Sequence, residues 1–134
     1  MHWSELESFA FADGEGGKPG DKALADSLLA LVLAGKKTAT CWPASWDGIT
    51  HVGKRMVVLD SERRPRAVIE TTSLVERPFN AVDWDFARLE GENDDLEGWR
   101  RDHREWLTAN ADFSPDMLLC CEQFKVIEIL PETA

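Results

Sequence analysis

A lysine and two threonine hydroxyls follow a glycine in the stretch Gly35-Lys36-Lys37-Thr38-Ala39-Thr40. A neutral amine held close to a hydroxyl can take its proton, so a lysine and a threonine can form a base–nucleophile pair. Hydrolysing an amide needs such a nucleophile and base, an acid for the departing amine and stabilisation of the oxyanion. Lys37 is the candidate base and Thr40 the candidate nucleophile. A free lysine titrates near ~10.4, so a base working at neutral pH must be shifted by about three units, or about 4 kcal/mol. Burial and the neighbouring Lys36 and Lys54 push in that direction. A nearby carboxylate pushes in the other and makes the lysine a permanent cation. Spacing adds a constraint, because positions 37 and 40 of a regular strand face opposite sides. The two side chains converge only if the backbone after Gly35 departs from strand geometry. Glycine, lysines and β-favouring threonines also compose an ordinary helix-to-strand junction.

The surrounding elements must position these groups. Asp21 opens a helix with Leu24, Leu28, Leu31 and Val32 on one face, widened by Ala25 and Leu29. Gly35 ends it, because a residue without a Cβ enters the left-handed conformation cheaply. The capping box Ser4-x-x-Glu7 predicts a short N-terminal helix, separated from the first by the Gly/Pro-rich stretch 13–20. Strands are expected at 38–42, 55–60 and 66–76, with a turn over Asp60-Ser61-Glu62-Arg63-Arg64. Asp94-x-x-Glu97 opens a helix reaching about Asn110, and a last strand runs from Met117 to Leu130, buried on both sides. Strands, a helical excursion and a closing strand indicate an α+β domain around a barrel, one domain over residues 1–134.

Six tryptophans without a tyrosine supply the binding surfaces. Trp46, with Ser45, Asp47 and Gly48 in a polar loop, offers an indole on which a pyrimidine could stack for about 1–3 kcal/mol. Trp42 suits the end of the barrel, while Phe86, Trp99 and Trp106 suit the core. Lys36, Lys37, Lys54 and Arg55 could form a local basic cleft, and Arg100 lies beside His103 on the expected helix. Against this stands a net charge of -10, from 25 acidic and 15 basic residues, which repels a polyanion at long range. A small substrate of low charge is therefore favoured over an extended nucleic acid. Cys41, Cys120 and Cys121 show neither a disulfide framework nor zinc spacing, which points to a reducing cytoplasm. No histidine pair has metal-ligand spacing, so neither metal nor cofactor is expected. No apolar run is long enough for a membrane-spanning helix, and no protein partner is indicated.

The pattern Gly35-x-Lys37-x-x-Thr40 resembles the signature of the ASCH domain family, small β-barrel proteins related to the PUA fold. The resemblance extends through Leu24-Ala25-Asp26-Ser27-Leu28-Leu29, Gly53-Lys54 with Val57-Val58-Leu59-Asp60, the segment from Phe86 to His103, and Ser114-Pro115-Asp116-Met117 with Cys121-Glu122-Gln123-Phe124. It implies a PUA-like barrel with flanking helices and a helical insert before the last strand. The family's small amidohydrolases remove acyl groups from N4-acetylcytidine. By this resemblance their lysine, threonine and glutamate fall on Lys37, Thr40 and Glu92, with Glu90 an alternative for the glutamate. A nucleoside substrate would then be held by Ser45, Trp46, Lys54 and Arg100. Binding of single-stranded RNA, or its metal-assisted cleavage with Glu90, Glu92, Asp94 and Asp95 near the ion, is the second function the resemblance implies.

Overall fold

The first long helix, α1 (Lys22–Leu33), begins where the Asp21 carboxylate accepts the Leu24 amide at 2.9 Å. It ends at Gly35, whose φ of 77° turns the chain back so that the amides of Lys36 and Lys37 both reach the Leu31 carbonyl. The buried stripe is Ala25, Leu29 and Val32, and of these Leu29 and Val32 pack in one cluster with Phe11, Val58, Ala67, Ile69 and Phe124. Leu24, Leu28 and Leu31 sit half-buried on its flank, a part-turn away from the centre the sequence suggests. The structure is a computed structural model that describes residues 2–132.

Five strands form one curled sheet, a half-barrel in the order β1-β3-β4-β5-β2. They are β1 (Ser8–Ala10), β2 (Ala39–Pro43), β3 (Arg55–Leu59), β4 (Pro65–Pro78) and β5 (Leu118–Ile129), and β1 runs parallel to β3 while the other neighbours are antiparallel. The expected N-terminal helix is replaced by a single 3-10 turn, Trp3–Glu5, and then β1. Glu7 does not turn back to complete the capping box. Its carboxylate meets Lys54 Nζ at 2.8 Å and its carbonyl accepts the Val57 amide, which pulls the chain out as a sheet edge. Register shifts at Val68/Ile69 and Thr71/Ser73 bend the long β4 and give the sheet its curl.

Only the first half of β5 is covered on both faces; from Lys125 to Ile129 its residues are exposed, so the expectation of a last strand buried on both sides holds to Phe124 and no further. Leu119 and Cys121, with Ala39 of β2, face a cluster built from Phe79, Phe86, Trp99 and Leu107, whereas Phe124 faces α1. The insert between β4 and β5 supplies that first cover, with the short α2 (Trp84–Ala87), a 3-10 turn at Arg88–Glu90, and α3 (Leu96–Asn110). Asp95 caps α3 through the Gly98 amide at 2.8 Å, one residue later than the Asp94/Glu97 pair proposes. No helix among the described residues is long and apolar enough to cross a membrane.

The insert is fastened to the chain ahead of β2 at one place. Thr38 donates its amide to the Leu89 carbonyl at 2.8 Å, and Gly91, at φ 75°, lies against the backbone of Lys36 and Lys37. A Cβ at Gly91 would collide with the Lys36 carbonyl oxygen and would demand a left-handed conformation as well. Gly91→Ala should therefore destabilise the protein by about 2–4 kcal/mol. Urea unfolding should show a lower midpoint with an unchanged slope. A midpoint shift equal to that of Gly16→Ala, where no atom lies within 4 Å of the new Cβ, would mean that the contact carries no weight.

Candidate functional site

Lys37 precedes β2 by two residues and so escapes the alternation of a strand. Its ammonium is almost fully buried, 3.3 Å from Glu90 Oε1 and 2.9 Å from Glu92 Oε2, and lies 5.5 Å from the Phe11 ring centre. Glu90, from the last turn before Gly91, is buried too. Its Oε2 accepts the Trp99 indole N–H at 2.8 Å, with His103 Nε2 at 3.4 Å and the Cys41 thiol at 3.5 Å. His103 places Nδ1 on the Trp99 carbonyl at 2.8 Å, an acceptor only, so Nδ1 carries a hydrogen. The imidazole stacks on the Trp99 indole at 4.1 Å.

These contacts decide the charge states. Burial pushes the Lys37 ammonium down, but Glu90 and Glu92 outweigh burial and leave its pKa above the ordinary value. Burial likewise opposes the Glu90 carboxylate, yet His103, Lys37 and the Trp99 N–H hold it well below the usual carboxylate range. Burial lowers His103, and Glu90 more than restores it. With His103 protonated, the group sets two cations, Lys37 and His103, against the carboxylates of Glu90 and Glu92. The expectation that Lys37 is a low-pKa base is corrected: a lysine held by two carboxylates stays an ammonium at neutral pH. What Lys37 offers is positive charge and N–H donors.

The site opens onto a cavity of about 730 Å³. Lys37, Thr40, Glu90, Glu92 and His103 reach it from one side, and Trp42, Trp46 and Trp106 supply aromatic wall. Trp46 meets Trp106 edge to face at 5.9 Å. Leu24 and Leu28 line the α1 side, and Asp13–Gly17 with Arg63 line another. Because β2 is an edge strand, both Thr40 and Cys41 reach the space although they alternate in direction.

The structure therefore brings Lys37, Thr40, Glu92 and Trp46 to one cavity and leaves Ser45, Lys54 and Arg100 outside its lining. Ser45, next to Trp46 in the chain, is exposed. Lys54 Nζ is engaged by Glu7 and by the Ile49 carbonyl at 3.0 Å. Arg100 lies on α3, its buried Nε without a hydrogen-bond partner among the described residues. The proposed basic cleft is dispersed as well, since Lys37 and Lys54 are paired and Arg55 meets Glu70 at 2.9 Å.

Two features escaped sequence reasoning. Glu90 is the hub of the charged group rather than a spare candidate. Only the following glycine hinted at a fixed turn there. Glu122, 5% exposed, also lines the cavity and accepts the Thr71 hydroxyl at 2.6 Å, which in turn meets the Thr50 hydroxyl at 2.7 Å. Burial pushes its pKa up to about 6, against the Thr71 hydrogen bond and Lys37.

Cys41, Glu90 and His103 place ligand-type atoms within 4.8 Å of one another, a grouping that linear spacing could not reveal. Its donors are committed elsewhere. Burial and Glu90 push the thiol pKa well above its usual value, Trp99 occupies the carboxylate oxygen, and the Lys37 ammonium opposes a further cation. The donor set suits protons better than a metal ion.

The pH dependence follows from the directions. Glu90, depressed, contributes stability above its ordinary 4.5 that is lost as pH falls through its folded value. His103, raised, contributes stability below its ordinary 6.5 that is lost as pH rises through its folded value. The stability difference between the wild type and Glu90→Gln should thus be greatest between those two values, about 3–5 kcal/mol for a broken buried pair. NMR titration of the His103 ring should show a lower pKa in Glu90→Gln. An unchanged ring pKa would refute the coupling.

A family model of the ASCH domain matches residues 15–128. No protein of curated function matches the sequence. Among solved structures, the chain is similar to a protein from Enterococcus faecalis V583, at 29% identity and a TM-score of 0.78, over 93% of this chain and 82% of that one. It is similar also to an ASCH domain from Lactobacillus crispatus JV V101, at 31% identity and a TM-score of 0.77, over 90% and 78% of the two chains. An ASCH protein from Zymomonas mobilis shares the fold at 9% identity, a TM-score of 0.56, and 78% and 66% coverage. With the family model spanning most of the sequence and these structures following its fold, the chain belongs to the ASCH domain family, which is PUA-like and RNA-related.

Proposed function

We propose that this protein is an amidohydrolase that removes acyl groups from N4-acylated cytosine nucleosides, N4-acetylcytidine being the simplest. The observation that carries the proposal is the presence of Lys37, Thr40 and Glu92 on one cavity walled by indoles. A volume of about 730 Å³ falls within the range of about 300–1,000 Å³ usual for small-molecule sites. Trp42, Trp46 and Trp106 offer faces for a pyrimidine. The pairing of Lys37 and Lys54 with carboxylates suits a substrate without a chain of phosphates.

In this mechanism the Thr40 hydroxyl attacks the acyl carbon, and the carbonyl electron pair moves onto oxygen. The Lys37 ammonium faces the cavity and stabilises that oxyanion, a role that needs the charge its two carboxylates preserve. Glu92, with a side chain 20% exposed against 2% for Glu90, is the carboxylate that links Lys37 to solvent. Breaking the C–N bond leaves an acyl-threonine and the free cytosine amine, and water then cleaves the ester. Thr40 must lose its proton to a group other than Lys37, whose nitrogen already carries a full set of hydrogens.

Turnover of N4-acetylcytidine by the pure protein is the direct test. Thr40→Val keeps the shape and removes the nucleophile, and should lower kcat/KM at least ~10²–10⁴-fold. Lys37→Met should cost a similar factor but also strands two carboxylates, so its folding must be checked by circular dichroism. Turnover that survives Thr40→Val within a few-fold would end the threonine mechanism.

Salt provides a second check. An uncharged nucleoside should show a nearly flat kcat/KM from low to physiological ionic strength. Binding across about six phosphates would weaken by ~10³-fold or more over a fourfold rise in salt. A steep dependence with labelled single-stranded RNA, together with no deacylation, would favour RNA as the ligand.

A further inference from the structure

We propose that Glu122 is the proton acceptor for Thr40, and that Thr71 and Thr50 position its carboxyl for that task. The proposal rests on the hydrolase function above and assigns the step left open there. In the β2–β5 pairing Thr40 stands directly opposite Glu122. Residues opposite each other on one face of an antiparallel pair have Cβ atoms about 4.5–5.5 Å apart, well within the reach of a glutamate side chain. Both line the cavity.

The remaining carboxylates of the charged group are committed. Glu90 serves Lys37, Trp99, His103 and Cys41, and Glu92 serves Lys37. Glu122 has no cation within salt-bridge distance among the described residues. Its Oε2 accepts the Thr71 hydroxyl, and since that hydroxyl spends its hydrogen there, Thr50 must donate to Thr71. This fixes the carboxyl through one oxygen and leaves Oε1 without a protein partner among the described residues. The groups that face it are Lys37 from the β2 side, the Thr71 and Thr50 hydroxyls from β4 and the loop before β3, and the Cys120 thiol on its own strand. A carboxyl whose pKa burial has raised to about 6 is a stronger base than Glu90 and still ionised at neutral pH.

The step balances. The Thr40 O–H bond breaks and its proton passes to the Glu122 carboxylate while Oγ bonds to the acyl carbon. When the C–N bond breaks, the same proton passes from Glu122 to the departing N4, giving the free amine and restoring the carboxylate. In deacylation Glu122 takes a proton from the attacking water and returns it to Thr40 Oγ as the ester bond breaks. The acid product leaves as a carboxylate with release of one proton.

Two readouts test this. With N4-acetylcytidine, Glu122→Gln keeps an acceptor for Thr71 and should lower kcat ~10²–10⁴-fold with little change in KM, and the acid limb near pH 6 in the wild-type profile should vanish. Thr71→Val, which removes a donor favouring the carboxylate, should shift that limb to higher pH and reduce kcat less. Independently, p-nitrophenyl acetate should acetylate Thr40, seen by intact mass in the wild type and suppressed at least tenfold in Glu122→Gln. If the ester acetylates Thr40 in a Glu122-dependent way while N4-acetylcytidine is untouched, the substrate assignment fails and Glu122 stands. If Glu122→Gln keeps both activities within a few-fold, or its acid limb is unchanged, Glu122 is not the acceptor although Thr40 remains the nucleophile. If neither reagent acylates Thr40 in the wild type, both proposals are overturned.

Discussion

The buried ammonium of Lys37 sets the terms for the rest of this site. A single charge at that depth would be strongly disfavoured, and the protein meets it with two carboxylates and then meets one carboxylate with an indole N–H and an imidazole. Each group is tolerable only because its neighbours are present.

Such a group demands accurate backbone placement from three separate pieces of chain. Gly35 turns the chain at the end of α1 so that Lys37 stands before β2 rather than in it. Gly91 lets the insert approach the backbone of Lys36 and Lys37 so closely that Glu90 and Glu92 flank the ammonium on either side of the turn. α3 then brings Trp99 and His103, one helical turn apart, onto the far oxygen of Glu90. The apolar cluster of Phe79, Phe86, Trp99 and Leu107 fixes that helix against β2 and β5. Packing of the insert and electrostatics of the site are therefore one construction: Trp99 belongs to both.

Local signals made much of this legible in the sequence. Asp21 and Gly35 bracket α1 by cap chemistry that depends on neighbouring residues only, and the β-rich stretches at 39–43, 55–59 and 65–78 lie within a few residues of their expected limits. The N-terminal segment departs from its local signal because Glu7 has a distant partner, Lys54, that outcompetes the capping box. The same reason hid the role of Glu90 and the protonation of Lys37. Whether a lysine is a base or a cation depends on which carboxylates the fold brings to it, and Glu90 is 53 residues away in the chain. Ser45 and Lys54 belong to the rim rather than the lining: Ser45 is the exposed neighbour of the lining Trp46, and Lys54 spends its ammonium on Glu7 and the Ile49 carbonyl, pairings that no local pattern discloses. In the sequence Glu122 reads only as part of a closing strand. Its significance comes from register, which pairs it with Thr40 across two strands 82 positions apart, as the β2–β5 alignment shows.

Two kinds of polar environment thus share one cavity. Around Lys37 the groups are multiply bonded, with the ammonium held above and the Glu90 carboxylate well below their ordinary pKa values, which suits stabilising a charge that appears during reaction without exchanging protons. Glu122 is bound by a hydroxyl alone and burial raises its pKa to about 6, which suits exchanging a proton. One lysine could not serve both purposes, because the charge that stabilises an oxyanion is the proton that disqualifies a base. Thr40 lies on the edge strand β2, on the same piece of chain as Lys37 and directly opposite Glu122 of β5. In the proposed reaction a Thr40 hydroxyl at that position would hand its proton to Glu122 while the Lys37 ammonium met the negative charge on the acyl oxygen. That division between an acceptor and a cation would follow from the register of β2 on β5 and from the turn that sets Lys37 ahead of β2.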